Sequence, residues 1–202
     1  AALGGHRDRC DQCAQSALSY NSCRDRRCPK CLTAARNVWL AAREQELLPV
    51  GYVHLVFTVP EPLARLALAN KRVVYDLLLR TAAATLLQVA ANPKRLGAAI
   101  GGLMVLHTWG QRLQHHPHVH CVVPAGGLSP DRMRWIHTRP TFFLPVKVLR
   151  QVFRGKLIAG LRAAQAQGRV DCPGTLAALA PAPAFRAWLR SLYRQPWVVY
   201  TK

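Results

Sequence analysis

The chain has 202 residues, half of them apolar, which is enough for a buried core and a small additional module. Its 28 Lys and Arg residues outnumber its 9 Asp and Glu residues, and the formal net charge is +19. Such an excess favours nucleic acid as the partner over an anionic membrane surface, and we expect no small-molecule substrate. No apolar run reaches the roughly 18 residues that cross a bilayer, so we expect no membrane span.

The positive charge is unevenly distributed along the chain. Residues 1–61 hold 8 basic and 6 acidic residues, whereas residues 62–202 hold 20 basic and 3 acidic residues. The second part is therefore predicted to carry the surface that binds a polyanion. A general compositional bias towards arginine would produce the same numbers without a nucleic-acid partner, and this alternative stays open.

Residues 1–35 form the first predicted module, which is rich in cysteine, loop-like and poor in large apolar side chains. Two CxxC pairs, Cys10 with Cys13 and Cys28 with Cys31, have the spacing that brings four thiolates around a tetrahedral Zn²⁺ ion. Zinc binding would supply the folding energy that so short a segment lacks. The pattern predicts a structural zinc site in a zinc-ribbon-like module, with Cys23 as a spare ligand. An unliganded, reduced cysteine cluster is the alternative.

Basic side chains surround the second cysteine pair of this module, and we expect them to contact DNA phosphates. They are Arg24, Arg26, Arg27 and Lys30. A solvated face without a partner explains them equally well. Five of the seven cysteines lie between Cys10 and Cys31, which indicates metal binding in a reducing compartment rather than disulfides. We therefore expect a cytoplasmic protein.

After this module, predicted helices and strands alternate. The predicted strands lie at 51–60, 102–109, 118–124, 134–138 and 197–200. The predicted helices lie at 36–48, within a linker spanning 36–50, and then at 62–91, 145–167 and 184–193. The short connection between the second and third strands favours an antiparallel pair. The predicted class is α+β, with helices packed on an antiparallel sheet over residues 51–202.

Four of the eight histidines fall within the stretch QRLQHHPHVHCVVP, residues 111–124. Alternate side chains of a strand share a face, so His116, His118 and His120 would point one way and His115 the other. Proline is tolerated at the start of a strand, so the regular strand is predicted to begin near Pro117. Imidazoles about 7 Å apart on one face can converge on one ion. His118 and His120 are therefore the predicted ligands of a divalent ion, with His116 as a less certain third.

The role of His107, on the preceding predicted strand, stays open between the same face and the core. Nitrogen ligands that leave positions free indicate a catalytic ion, and because Mg²⁺ prefers oxygen, Mn²⁺ also fits. A divalent ion beside a basic sheet suggests phosphoryl-transfer chemistry. A histidine cluster that is merely hydrogen-bonded is the alternative.

Four segments of the chain resemble, in the same order, the bacterial rolling-circle transposases of the insertion-sequence ninety-one type. They are LGGHRDRCDQC, NSCRDRRCPKC, HLVFTVPEPL and LHTWGQRLQHHPHVHCVVPAGGLS. Those transposases carry an N-terminal zinc-binding domain and a nuclease domain of the HUH class, named for its His-hydrophobic-His motif. The resemblance covers nearly the whole chain. It implies that residues 51–202 are an HUH-type nuclease domain without its C-terminal part.

The resemblance implies an enzyme that cleaves and transfers single-stranded DNA at transposon ends. In it, His118 and His120 hold the ion that positions a phosphate, and a tyrosine hydroxyl attacks that phosphate. The tyrosine is expected on a helix beyond Lys202, so this chain alone is expected to bind DNA and to cleave it poorly or not at all. Arg112, beside the histidines, is expected to contact DNA. The tyrosines present are interpreted as packing residues: Tyr20, Tyr52, Tyr75, Tyr193 and Tyr200.

Two other functions remain open at this point. The first is a non-catalytic zinc-ribbon DNA-binding protein whose histidine cluster is structural. The second is a phosphoesterase whose ion activates a water molecule as the nucleophile. The scarcity of acidic ligands argues against the second of these.

Overall fold

The computed structural model describes residues 4–21, 29–110, 114–139 and 142–202, with the side chains of residues 19, 20 and 29–31 left out. The chain divides into two compact units, Ala1–Pro49 and Val50–Lys202.

The first unit contains a hairpin and a helix. Strands β1 (Gly5–Arg9) and β2 (Ser16–Tyr20) pair antiparallel from Gly5 with Tyr20 to Arg9 with Ser16. Helix α1 spans Pro29–Gln45. The loop-like interpretation of residues 1–35 is therefore wrong for the hairpin and for the start of α1, which precedes the predicted residue 36. Proline is favoured at the first helical position because its φ angle is already helical, so Pro29 suits this start.

The second unit is built on a four-stranded antiparallel sheet in the order β4-β5-β3-β8. Its strands are β3 (Tyr52–Thr58), β4 (Leu103–Trp109), β5 (His115–Pro124) and β8 (Val198–Thr201). A separate two-stranded sheet holds β6 (Gly126–Leu128) and β7 (Trp135–His137). The helices are α2 (Glu61–Ala69), α3 (Lys71–Ala91), α4 (Val146–Ala166) and α5 (Ala182–Ser191). The predicted α+β class is confirmed.

The core lies between one face of the main sheet and the helices. Leu55 and Phe57 on β3 alternate with less buried neighbours, as a strand with one covered face should. The Phe57 ring packs on Phe153 of α4 with ring centroids 4.9 Å apart, and Phe153 meets Trp197 at 5.8 Å. Within the second unit, the described helices α2 to α5 pack on this face, and the alternate residues of the strands form the opposite face, called the open face below.

Residues 62–91, which the periodicity assigns to one or two helices, form two. They meet at Asn70, whose side-chain Nδ2 donates to the carbonyls of Leu66 (3.1 Å) and Asp171 (2.8 Å). Its Oδ1 accepts from the backbone N–H of Asp171 at 2.7 Å. This buried side chain satisfies backbone groups on two segments, so it fixes the break between α2 and α3.

Helix α3 is long and apolar enough, by length and composition alone, to pass for a membrane span. However, Val74, Leu78 and Leu86 of α3 are buried in the core with the sheet and α4. A helix that is apolar on most sides is expected where it lies between other elements, so we assign α3 to the core.

Strand β5 begins at His115, two positions before the predicted start. Pro117 is buried inside it, at the β4–β5 bulge between His107 and Trp109. On the other side, the pairing with β3 ends at His118, opposite Thr58. Pro117 therefore sits where neither neighbouring strand requires its missing N–H, which explains how a proline is accommodated in a central strand.

Candidate metal centre on the open face of the sheet

The open face of the sheet carries a row of histidines. In the β4–β5 register His107 lies beside His118, and Val105 lies beside His120. Burial on β5 alternates as predicted: Val119 and Cys121 are fully buried, whereas His116, His118 and His120 are partly exposed. The two-residue period of a strand thus places these imidazoles on the open face.

Three of these imidazoles converge. His107, His118 and His120 each offer a ring nitrogen within 4.8 Å of the other two. The ring centroids are 4.9 Å apart for His107 and His118, 4.9 Å for His118 and His120, and 5.7 Å for His107 and His120. Nitrogen atoms that bind one divalent ion at about 2 Å each lie within such a distance of one another. The group therefore has the donor set and spacing of a metal site.

Hydrogen bonds define which nitrogen of His118 carries a lone pair rather than a proton. Its Nδ1 lies 2.6 Å from the carbonyl oxygen of His116. A carbonyl can only accept, so Nδ1 carries the proton and Nε2 carries a lone pair. That Nε2 is 3.1 Å from Nδ1 of His107. His118 therefore presents an unprotonated nitrogen towards the centre of the cluster, with its ring fixed from behind by the backbone.

The environment also lowers the pKa of two of these imidazoles, those of His118 and His120. Burial is the largest cause lowering the pKa of His118 from its ordinary 6.5, with smaller effects from the neighbouring His107 and His116. Burial likewise lowers the pKa of His120, and His118, His54 and His107 add to it. A metal ligand must be unprotonated, so at neutral pH both residues are ready to bind an ion.

His116 and His115 lie outside this group of three. The His116 ring centroid is 5.4 Å from that of His118, and the backbone carbonyl of His116 accepts a hydrogen bond from Nδ1–H of His118. His115 points to the helices, where its Nε2 is 2.8 Å from the Tyr75 hydroxyl and its Nδ1 is 3.0 Å from the carbonyl of Ala64. The structure therefore brings His107, rather than His116, to the predicted pair.

One histidine in contact with this group of three was not singled out in the sequence. His54 of β3 places its Nε2 at 2.8 Å from Nδ1 of His120, and the two rings stack at 5.1 Å between centroids. It stands in the apolar strand YVHLVFT, at a position whose period-two neighbours Val56 and Thr58 share its face. That isolated polar residue is a weak signal, because only the strand order β4-β5-β3 shows what it meets.

In the first unit, Cys10 and Cys13 lie exposed in the turn between β1 and β2. The backbone N–H of Cys10 donates to Gln15 (2.8 Å), and that of Ala14 donates to Cys10 (2.9 Å). Hydrogen bonds from the backbone N–H groups of Cys13 and then Gln12 lower the pKa of the Cys10 thiol. A thiolate is the form that binds zinc, so this turn suits half of a zinc site.

The other predicted residues of this module, and Arg112, cannot be placed. Cys23, Arg24, Arg26, Arg27, Cys28 and Arg112 lie outside the described residues. Cys31 and Lys30 fall in the first turn of α1, but their side chains are also outside the described part. The four-cysteine zinc site and the phosphate contacts therefore stay predictions.

The hairpin with its CxxC turn and the histidine centre on an antiparallel sheet together define a metal-binding α+β protein. Residues 101–202 match the family model described as "Putative transposase", and residues 1–59 match that of a "Transposase zinc-binding domain". The first match covers half of the chain, and the chain therefore belongs to this transposase family. The family assignment drawn from the sequence motifs is confirmed.

Two curated relatives are similar to this chain. "Putative transposase y4qJ" of Sinorhizobium fredii is 51% identical over 202 residues, which is the whole chain and 51% of the relative. "Transposase for insertion sequence element IS801" of Pseudomonas savastanoi pv. phaseolicola is 43% identical over 117 residues, 58% of this chain and 28% of the relative. The chain thus spans about half the length, or less, of these proteins.

Among solved structures, the chain is similar to "Conjugative Relaxase Trwc In Complex With Orit DNA. Metal-Bound Structure". The sequence identity is 14%, the TM-score is 0.42, and 70% of each chain is covered. A likeness of this size supports no conclusion about the site.

Proposed function

We propose that this chain is the metal- and DNA-binding part of a rolling-circle DNA transposase of the HUH class. The observation that carries the proposal is the convergence of His107, His118 and His120 within 4.8 Å on the uncovered face of the sheet. An open face lets an extended single strand reach the centre. The net charge of +19 would attract its phosphates.

The three imidazoles would hold one divalent ion. Their nitrogen donors favour Mn²⁺ over Mg²⁺, which prefers oxygen ligands. When bound, such an ion supplies Lewis-acid stabilisation to a phosphate oxygen. The protein's own contribution is orientation: the His116 carbonyl fixes the ring of His118, and the lowered pKa values keep His118 and His120 unprotonated. His116 itself is proposed to act through its backbone rather than as a third ligand.

We further propose that the attacking tyrosine is none of those described here. The Tyr75 hydroxyl contacts His115 on the helical side of the sheet. Tyr193 packs under Arg154, whose guanidinium carbon is 4.9 Å from the ring centroid. Tyr200 is exposed on the open face, but its strand is two positions from β5, about 10 Å at the usual strand spacing. The nucleophile is instead proposed to lie beyond Lys202, so this chain would bind DNA without forming a covalent link.

The N-terminal unit is proposed to hold a structural Zn²⁺ ion through Cys10, Cys13, Cys28 and Cys31. The Cys10 turn supports this proposal, because its N–H groups stabilise a thiolate. The basic residues around the second pair, and Arg112 beside the histidines, are proposed to contact phosphates. Such a protein would act on single-stranded transposon ends in the bacterial cytoplasm.

The central test is Mn²⁺ binding to the full chain, followed by the electron paramagnetic resonance signal of free Mn²⁺. We expect the double variant His118→Ala/His120→Ala to lose binding, with its zinc content unchanged. The matched control is His137→Ala, a histidine on the separate β6–β7 sheet. Unchanged Mn²⁺ binding in the double variant would contradict the metal centre and favour a non-catalytic zinc-ribbon DNA-binding protein.

A second test addresses the nucleophile. The chain is incubated with Mn²⁺ and labelled single-stranded DNA, and covalent adducts are separated on a denaturing gel. We expect retention of DNA without an adduct. An adduct that disappears in Tyr200→Phe would identify Tyr200 as the nucleophile, against the proposal. Metal-dependent cleavage without any adduct would instead indicate a phosphoesterase that uses water.

A further inference from the structure

His54 lies on β3, the strand beside β5, and its side chain points to the open face. The backbone of β3 pairs His54 with Val122 of β5 on one side. On the other side, the His54 N–H donates to the carbonyl of Lys202, and the Lys202 N–H donates to that of His54, both at 2.9 Å. His54 is therefore held by strands on both sides, so the position of its ring relative to β5 is set by the sheet.

The contact between His54 and His120 links the proton positions of the two rings. Nε2 of His54 and Nδ1 of His120 are 2.8 Å apart, so one of the two nitrogens must carry a hydrogen and the other a lone pair. A neutral imidazole has one proton. If His54 donates, the proton of His120 must sit on its Nε2, and that nitrogen cannot bind an ion. If His120 donates from Nδ1, its Nε2 is free.

We propose that His54 is the positioning residue of the metal centre. It accepts a hydrogen bond from Nδ1–H of His120 and so holds the Nε2 lone pair of His120 towards the ion. The inference rests on the proposed function, since it takes the histidine group to be a metal site. His54 itself is outside the group of three converging residues. It would act through His120 and would not contact the ion.

The two histidines of the motif are then oriented by different means. His118 is fixed by the carbonyl of His116, two residues before it on the same strand. His120 needs an acceptor from elsewhere, because the residues in register beside it, Val56 and Val105, have no polar side-chain atom. His54, diagonal to His120 on β3, supplies it. Metal-binding histidines generally need such a partner for the second ring nitrogen.

The difference makes the inference testable by mutation, because a side chain can be replaced and a backbone carbonyl cannot. His54→Leu keeps the size of the side chain and removes the acceptor. His54→Gln places an amide oxygen at about the reach of the lost Nε2, so it restores an acceptor without an imidazole. His137→Leu is the matched control, a histidine-to-leucine change on the separate β6–β7 sheet.

Two measurements are made on the full chain. Two-bond hydrogen–nitrogen correlation spectra of the metal-free protein report which nitrogen of His120 is protonated. We expect Nδ1–H in the wild type and in His54→Gln, and a shift towards Nε2–H in His54→Leu. Mn²⁺ titration should show affinity about 10- to 100-fold weaker in His54→Leu, the usual loss when a residue that hydrogen-bonds to a metal-binding histidine is removed. In His54→Gln, affinity should be restored to near the wild-type value.

The outcomes separate this inference from the proposed function. Wild-type affinity in His54→Leu, or Nε2–H on His120 in the wild-type protein, would overturn the role of His54 while leaving the metal centre intact. Equal weakening in His54→Gln and His54→Leu would also overturn it, because that pattern requires the imidazole itself. A wild-type chain that binds no Mn²⁺ would instead reject the metal centre, and the role of His54 with it.

Discussion

Lowering the pH should release the ion from the histidine centre. The slope of Mn²⁺ affinity against pH should report how many histidines bind the ion. Each imidazole must give up its proton before it can bind, so protons compete with the ion at every ligand. Burial lowers the pKa values of His118 and His120 below 6.5, which confines this competition to acidic solution. Affinity should therefore fall as the pH drops into the acidic range in which His118 and His120 become protonated.

The magnitude follows from the number of converging residues. With three ligands, the logarithm of the Mn²⁺ affinity should approach a slope of about three per pH unit once all are protonated in the free protein. The assay is Mn²⁺ titration of the full chain at a series of pH values. His107→Ala should reduce the limiting slope to about two, and His116→Ala should leave it at about three, since only the backbone of His116 is used. A slope insensitive to His107→Ala, or lowered by His116→Ala, would refute the assignment of His107 as the third ligand.

Four further predictions concern core packing, the pH dependence of stability, zinc binding and DNA binding. Phe57→Ala should cost about 3–5 kcal/mol in urea unfolding because Phe57 is fully buried against Phe153; the exposed Val105→Ala is its control, and a cost near that of the control would contradict the core assignment. Burial lowers the pKa of His115, so the unfolded chain binds its proton first, and the free energy of unfolding should fall as the pH drops below 6.5; a rise would contradict this sign. Cys10→Ser should reduce the zinc content, measured by atomic absorption, without changing Mn²⁺ binding. The affinity of the wild-type chain for single-stranded DNA should fall steeply as the salt concentration rises; an affinity that does not change with salt would indicate compositional bias rather than phosphate contacts.

The strands of the sheet show how much of the fold local sequence patterns predict. Short runs rich in β-branched and aromatic residues were enough to predict β3, β4 and β8 closely, because such residues favour the extended backbone of a strand. The short strand Trp135–His137 was also recognised, but its partner β6 was not. Gly126 and Gly127 carry no side chain that alternation could reveal. The early start of α1 and the hairpin before it were missed because apolar periodicity is weak where few side chains are buried.

For the site, the sequence by itself determined the pair His118 and His120, since two-residue alternation is a local property of one strand. It left His107 undecided and did not single out His54. Both residues lie on neighbouring strands, and their distance from His120 depends on strand order and register, which no single segment encodes. Only the tertiary structure decided that β4 and β3 flank β5, so that His107 completes the group of three and His54 meets the ring nitrogen behind it.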